Sequence, residues 1–400
     1  MNQRYYSLDV FRGATVALMI LVNNPGSWNA IFSPLEHAPW HGCTPTDLVF
    51  PFFLFAVGNA MAFVMPKLKD HGNRLFWQKV LKRSALIFLI GLVLNWWPFV
   101  GWSGNSITFR GWVDPTDATN GVRILGVLQR IALCYCLASI IVYFLKPKAI
   151  ILTSTAILVL YWIACIYFGG ADPYSLQGWF GTAIDEKLLG VAHMYKGEGV
   201  AFEPEGLMST FPATVQVIIG YLVGNYIRYT GNVAASNVEK PYLVFRMISV
   251  FMVAAALLTL AGLSWGLIFP VNKKIWTSSY VLYAGGLALT TISTMIWFIE
   301  IKKVRNWLTG FFDVFGKNPL FIFVVSALIP KTLALVRIKA GVDDAGEQLF
   351  TTPLRWFYTN ICAEFPGPPE VGSFVYAVCF LCLLWVICYL LDKNKIYIKV

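Results

Sequence analysis

Charge is the scarcest commodity in this sequence: only 13% of its 400 residues are Asp, Glu, Lys or Arg. A soluble domain carries about 25%. Folded in water, such a chain would expose broad apolar patches, since 57% of it is hydrophobic. The deficit argues against a soluble enzyme, a disordered chain and a nucleic-acid binder, and it suits a protein whose solvent is lipid. The net charge of +10 predicts no nucleic-acid partner, because basic charge on a membrane protein reports topology first. Internal repeats and low-complexity tracts are also missing, as is a secretory signal. The first apolar run continues past a signal-peptide core, with no small-residue cleavage site to close it. Cysteine offers no framework. Most of the eight sit inside apolar runs (Cys134, Cys136, Cys165, Cys379, Cys382, Cys388). The Cys379/Cys382 pair has redox or metal spacing, but FVYAVCFLCLLWVICYL reads as a lipid- or helix-facing segment.

What is present is a series of apolar stretches, about ten of them near the roughly 20 residues that cross a bilayer. They run Ser7–Asn24, Asp47–Met65, Ser84–Phe99, Val122–Leu145, Ala149–Phe168, Thr210–Ile227, Tyr242–Ser264, Ser279–Ile301, Pro319–Val336 and Val371–Leu391. The expected fold is an all-α polytopic membrane protein in a single domain over residues 1–400, with longer outer loops at about 169–209 and 337–370. Basic residues set its orientation. None occurs from Gly13 to Pro66, and the next loop holds Lys67, Lys69, Arg74, Lys79, Lys82 and Arg83. This puts the first loop outside and both termini in the cytoplasm. Lys146/Lys148, Arg228/Lys240, Lys302/Lys303/Arg305 and Lys393/Lys395/Lys399 then fall inside, while Asp114, Asp117, Asp172, Asp185, Glu186, Glu198, Glu203, Glu205, Asp343 and Asp344 fall outside.

The densest polar cluster surrounds the first outer loop, LVNNPGSWNAIFSPLEHAPWHGCTPTDLVFPFFLFAVGNAM. It holds Asn23, Asn24, Glu36, His37, His41, Thr44, Thr46 and Asp47. Asp47 opens the second span, where it either caps the helix or fixes a histidine tautomer. His37 and His41 are two of four histidines, either solvated at the interface or exchanging a proton beside an acid and an amide, as acyl transfer to an amine requires. Their four-residue spacing suits a metal on a helix, but Pro39 and Gly42 oppose a helix there, so no metal is expected. Arg130 in GVLQRIALCYC lies about two turns into an apolar run, where it snorkels or pairs with an acid. Glu205, in FEPEGLMSTFPA, caps or lines the outer cavity. In FGKNPLFIF, Asn318 and Pro319 open a span from the inner side beside Lys317, which is either a capped helix start or an anion site.

The run SLDVFRG…VNNPGSW…LEHAPWHGCTPTDLVFPFFLFAVG resembles the catalytic region of the heparan-α-glucosaminide N-acetyltransferase family. GVLQRIALCY, EPEGLMST and PVNKKIWTSSYV resemble three further blocks in the same order, so the likeness runs from Ser7 to about Leu390. It implies a minimal bacterial member, in the plasma (inner) membrane, without the lysosomal enzyme's extra N-terminal part. The family moves acetyl from cytosolic acetyl-CoA to the amino group of a terminal glucosamine. His37 matches its catalytic histidine, Asn23 its motif asparagine and Asp47 the acid of DLVFP. Where the family has asparagine this chain has His41, so His41 receives no role and the acceptor can differ. The expected partners are coenzyme A, an amino-sugar acceptor and membrane lipid, with a homodimer left open. Lys79, Arg83, Lys317, Asn318 and Arg130 are assigned to acetyl-CoA, and Glu205, Asn24 and Trp40 to the acceptor. His37 is expected to act as general base or to carry the acetyl group, with Asn23 on the developing oxyanion. An N-acetylglucosamine transporter and a transferase for another envelope glycan are the alternatives.

Overall fold

The computed structural model describes residues 5–235, 240–342 and 348–398; Asp343, Asp344 and Lys399 lie outside them. Helices α1 (Tyr6–Asn23), α2 (Val49–Asp70) and α3 (Asn73–Trp96) are followed by strands β1 (Val100–Ser103), β2 (Ser106–Phe109), β3 (Val113–Asp114) and β4 (Asp117–Gly121). Then come α4 (Val127–Phe144), α5 (Pro147–Phe168), the short α6 (Gly181–Leu189), α7 (Leu207–Ala235), α8 (Lys240–Gly266) and α9 (Ser278–Ile296). The chain finishes with α10 (Trp307–Lys317), α11 (Pro319–Leu333), β5 (Ile338–Val342), β6 (Gln348–Thr351), α12 (Pro353–Phe357) and α13 (Pro369–Lys393).

Among the described residues, eight helices are long and apolar enough to cross a membrane: α1, α2 with the turn before it, α4, α5, α7, α8, α9 and α13. A ninth arises if α10 and α11, bent by 84° at Asn318, count as one. A count of ten then depends on α3. That helix has 24 residues, but Lys79, Lys82 and Arg83 interrupt its first half. The purely α-helical expectation needs one correction. Three antiparallel two-stranded hairpins, β1–β2, β3–β4 and β5–β6, fold the connecting segments. Between Ser103 and Ser106, which pair across the first hairpin, Gly104 (φ +56°) and Asn105 supply a tight two-residue turn. A search for apolar runs near 20 residues does not register strands of two to five residues.

α2 and α7 form the centre, with 67% and 72% of their spans buried, whereas α5 and α8 bury only 22% and 17% and form the rim. Glycine permits the central contact: a Cβ on Gly58 would overlap the Val217 carbonyl, and one on Gly220 the Phe55 carbonyl. The connections segregate to two ends of the bundle. At one end Lys273 meets His37, Trp40 meets Tyr174, Arg123 meets Glu203, and Arg337 meets Gly104. At the other, Tyr143 meets Asn73, Ser7 meets Glu300, and Lys317 meets Asp392.

Candidate active site

The loop from Asn24 to Thr44 is held irregular by its prolines and by Gly42, whose φ of +107° suits glycine and whose N–H donates to the Val271 carbonyl at 2.8 Å. It ends in a short turn, Pro45–Leu48, that leads into α2. Asp47 in that turn is buried, and its two oxygens divide two tasks. Oδ2 accepts from the backbone N–H of Thr44 (3.0 Å), the Thr44 hydroxyl (3.1 Å) and the backbone N–H of Ala38 (3.0 Å). Oδ1 lies 2.7 Å from His37 Nδ1. Asp47 thus closes the capping box of the Pro45–Leu48 turn with Thr44 and at the same time lies within hydrogen-bond distance of His37. The Tyr280 hydroxyl, from α9, donates to the Asp47 carbonyl at 2.6 Å and ties the turn to the bundle core.

A carboxylate on Nδ1 favours the tautomer with its proton there, which leaves Nε2, 3.5 Å from Lys273 Nζ, as the acceptor nitrogen. The ring is 40% exposed, so Nε2 is accessible. It faces a cavity of about 230 Å³ lined by Trp40, Arg123, Glu205, Lys273, Lys274 and Trp276 among others. His41 turns elsewhere, with its Nδ1 3.3 Å from Asn272 Nδ2. Burial lowers the His41 pKa, with Asp172 opposing. The neighbouring Cys43 thiol is pushed up to about 12 by burial and by Asp47, which leaves it a poor nucleophile.

Two cations of the cavity are neutralised by carboxylates. Arg123 pairs with Glu203 and Glu205. Lys274 bonds Glu198 at 2.7 Å and the Pro39 carbonyl at 2.8 Å, and lies over the Trp40 ring. Burial raises Glu203, while Glu205, which burial alone would also raise, is held below its usual range by Arg123, Arg130 and Lys273. Lys273 is less committed. Its Nζ lies 3.1 Å from His37 Nδ1 and 3.5 Å from Nε2, and 3.5 Å from the Asp47 oxygen that His37 already occupies. Burial lowers Lys273 from the ordinary amine range, with Asp47 and Glu205 opposing.

The sequence-derived residues divide between the two ends. His37, Asp47, Trp40 and Glu205 line this cavity. Arg130 is fully buried behind it, bonded to the Gly206 carbonyl and to Ser209 and stacked on Trp276. Asn23 is exposed at the last turn of α1 and Asn24 bonds back to the Ile20 carbonyl; neither lines the cavity. At the opposite end Lys79 is exposed, and Arg83 lies over Tyr135 with its Nε buried and without a hydrogen-bond partner. Lys317 is held by Asp313 (2.7 Å) and Asp392 (2.9 Å). Asn318 stands at the start of α11 without a side-chain cap bond; it bonds the backbone of Ile396 and Ile398 in the C-terminal segment instead. Arg123, Lys273 and Lys274 escaped the sequence reading. The available signal was their sign: they are basic residues on a side expected to carry acids.

A membrane-type bundle of helices with an acid-held histidine open to a polar cavity at one end is the class that fold and site together define. Residues 4–260 match the family described as heparan-alpha-glucosaminide N-acetyltransferase, catalytic, and the chain belongs to that family. The heparan-alpha-glucosaminide N-acetyltransferases of Mus musculus and Homo sapiens are 25% and 26% identical to it over 374 and 376 residues, 80% of this chain in each case. The chain spans about half the length of these relatives, 53% and 52%. The family match ends before the α8–α9 connection that carries Lys273.

Proposed function

We propose that the protein is a membrane acetyltransferase that moves acetyl from acetyl-CoA to the amino group of a glucosamine-type sugar. The observation that carries this reading is the 2.7 Å His37–Asp47 pair opening on the cavity. Asp47 fixes the tautomer, and Nε2 of His37 takes the proton that the acceptor nitrogen must lose as it attacks the thioester. Acetyl-His37 as an intermediate uses the same nitrogen. Glu205 supports the acceptor assignment. With Glu203 it pairs with Arg123 on the cavity wall, where a carboxylate oxygen can accept a hydrogen bond from the neutral amine of the acceptor. Trp40 offers an aromatic wall for a sugar ring. Asn23 for the oxyanion, Asn24 for the acceptor and Arg130 for acetyl-CoA remain the assignments the family resemblance implies, and none of the three lines this cavity.

The wider assignment follows the charge distribution. Ten spans and one domain put His37 outside and both termini in the cytoplasm of a bacterial inner membrane. Coenzyme A phosphates would then meet Lys79 and Arg83, with Lys317 and Asn318 nearby, and a homodimer is compatible with the apolar rim. The test is coenzyme A release by detergent-purified protein across a panel of amino sugars, with product mass. Release dependent on a glucosamine, with a product heavier by one acetyl group, is the expected result. Sugar uptake by proteoliposomes without release would make the protein a transporter, and another added mass would change the acyl group.

A further inference from the structure

The cavity contains a cation that the acid–base pair does not need. Arg123 faces two carboxylates, Glu203 and Glu205, and Lys274 is bound by Glu198 and the Pro39 carbonyl. The anion nearest Lys273 is Asp47, at 3.5 Å, and the Asp47 oxygens already accept from His37, Ala38 and Thr44. An ammonium has three N–H donors. Lys273 therefore keeps donor capacity, and its Nζ stands 3.5 Å from His37 Nε2, the atom where proton transfer or acetylation would occur. Charge developing within about 3 Å of a reacting centre is where a fixed donor accelerates acyl transfer.

We propose that Lys273 is a catalytic residue which stabilises the oxyanion formed on the acetyl carbonyl. The proposal rests on the acetyltransferase reading above. In the step, the acceptor nitrogen's lone pair attacks the thioester carbon. The new C–N bond pushes the C=O π pair onto oxygen, and that oxygen takes an N–H from Lys273. The amine proton passes to His37 Nε2. Collapse of the tetrahedral species re-forms C=O and breaks the C–S bond, and the departing thiolate of coenzyme A takes the proton from His37. If acetyl first rests on His37, Nε2 attacks the thioester and coenzyme A leaves as its thiolate. The amine then attacks acetyl-His37, the C–N bond to the imidazole breaks, and the freed Nε2 takes the amine proton and passes it to the thiolate, with Lys273 serving the oxyanion of each step. The segment VNKKIW holds it rigidly. The Asn272 side chain accepts from the Ile275 N–H at 3.0 Å, the Thr277 hydroxyl accepts from the Asn272 N–H at 3.0 Å, and Trp276 is buried against Phe50.

The test uses the full chain in detergent, with acetyl-CoA and an amino sugar that the wild type accepts. Lys273→Met should lower kcat by about 10²–10³-fold, the usual loss of one oxyanion donor, with the Michaelis constants of both substrates nearly unchanged. Lys273→Arg should recover part of that loss. The slow hydrolysis of acetyl-CoA without acceptor should fall by the same factor, because its oxyanion is the same. A dithioester analogue, with sulfur in place of the carbonyl oxygen, accepts hydrogen bonds weakly. The preference for the thioester over the dithioester should be large in wild type and narrow in Lys273→Met. A normal kcat in Lys273→Met, or a loss confined to the acceptor's Michaelis constant with hydrolysis intact, overturns the proposal. Should Lys273→Met fail to accumulate, the oxygen-to-sulfur ratio of Lys273→Arg decides, and a ratio equal to wild type overturns it. Wild type that releases no coenzyme A with any amino sugar refutes the acetyltransferase reading itself, separately from Lys273.

Discussion

At the scale of single residues, the two histidines of the first loop should separate cleanly. His37 is oriented by Asp47 at 2.7 Å and open to the cavity, whereas His41 is engaged with Asn272. His37→Ala should therefore lower turnover by about 10²–10⁴-fold, the contribution of a positioned general base. Acetyl-CoA binding should survive, because its phosphates are assigned to the far end of the bundle. His41→Asn keeps a polar partner for Asn272 and should retain nearly full turnover. Equal damage from both substitutions, measured as kcat on the same acceptor, would remove His37 from its role. Asp185 gives a second residue-scale prediction. It is buried in α6, with Oδ1 accepting from the Leu207 N–H at the start of α7 at 3.0 Å and Oδ2 without a hydrogen-bond partner. Burial pushes it from 3.8 up to about 7, with Glu203 adding and Leu207 and Arg130 opposing. A raised carboxyl holds a proton in the folded chain that the unfolded chain releases. Its contribution to stability is full below the ordinary carboxylate range and is lost as pH rises toward about 7. Asp185→Asn should flatten that decline in thermal-unfolding scans, and an equally steep decline in the variant would assign it to other groups.

At the scale of elements, the two ends of α3 and the break at α10–α11 decide where an anionic cofactor can sit. Lys317 ends α10 between two carboxylates, Asp313 and Asp392, so a phosphate would have to displace one of them. Arg83 on α3 has an unpartnered Nε. Arg83→Gln should raise the Michaelis constant for acetyl-CoA by one to two decades, from a charge-assisted contact of about 1.5–3 kcal/mol. Lys317→Gln should leave it nearly unchanged. The opposite ranking in measured acetyl-CoA affinity would move the phosphate site to α10. The same elements show what the sequence could and could not disclose. α1, α2, α4, α5, α7, α8, α9 and α13 were legible because an apolar run near the length of a bilayer has few other uses. α3 was less so, since its basic first half and apolar second half blur its start. The hairpins escaped because their strands are only two to five residues long and mostly exposed, too short for an alternating pattern to register. Within the site, His37 and Asp47 were legible together because they are ten positions apart in one loop. Lys273 is 236 positions from His37, and they meet because the α8–α9 connection packs on the first loop through Gly42–Val271, His41–Asn272 and Lys274–Pro39. Sequence spacing carries no trace of that packing.

At the scale of the whole molecule, the outstanding question is which end of the bundle faces which compartment. The end that holds His37 collects Asp172, Asp185, Glu198, Glu203 and Glu205, while Lys67, Lys69, Arg74, Lys79 and Lys82 collect at the other. That end is not free of cations: Arg110, Lys187, Lys196, Arg337, Lys339 and Arg355 lie there too, and in the cavity Arg123 and Lys274 pair with carboxylates while Lys273 lies 3.5 Å from Asp47. Orientation follows the excess of Lys and Arg in short segments beside the spans, and that excess lies at the Lys67–Arg83 end. The His37 end should therefore face outside. A cysteine at Ser33, which is exposed in the His37 loop, should label in intact cells with a membrane-impermeant maleimide. A cysteine at Asn73, exposed between α2 and α3, should label only after permeabilisation. The background must first be cleared of Cys379 and Cys382, which are exposed, and of the half-buried Cys43. The outcome also bears on the chemistry. With His37 outside, acetyl enters as a cytosolic thioester and leaves on an external amine, so the transfer crosses the bilayer. The reverse labelling pattern would put His37 and its acceptor in the cytoplasm, and the protein would acetylate a sugar on the same side as its acetyl-CoA.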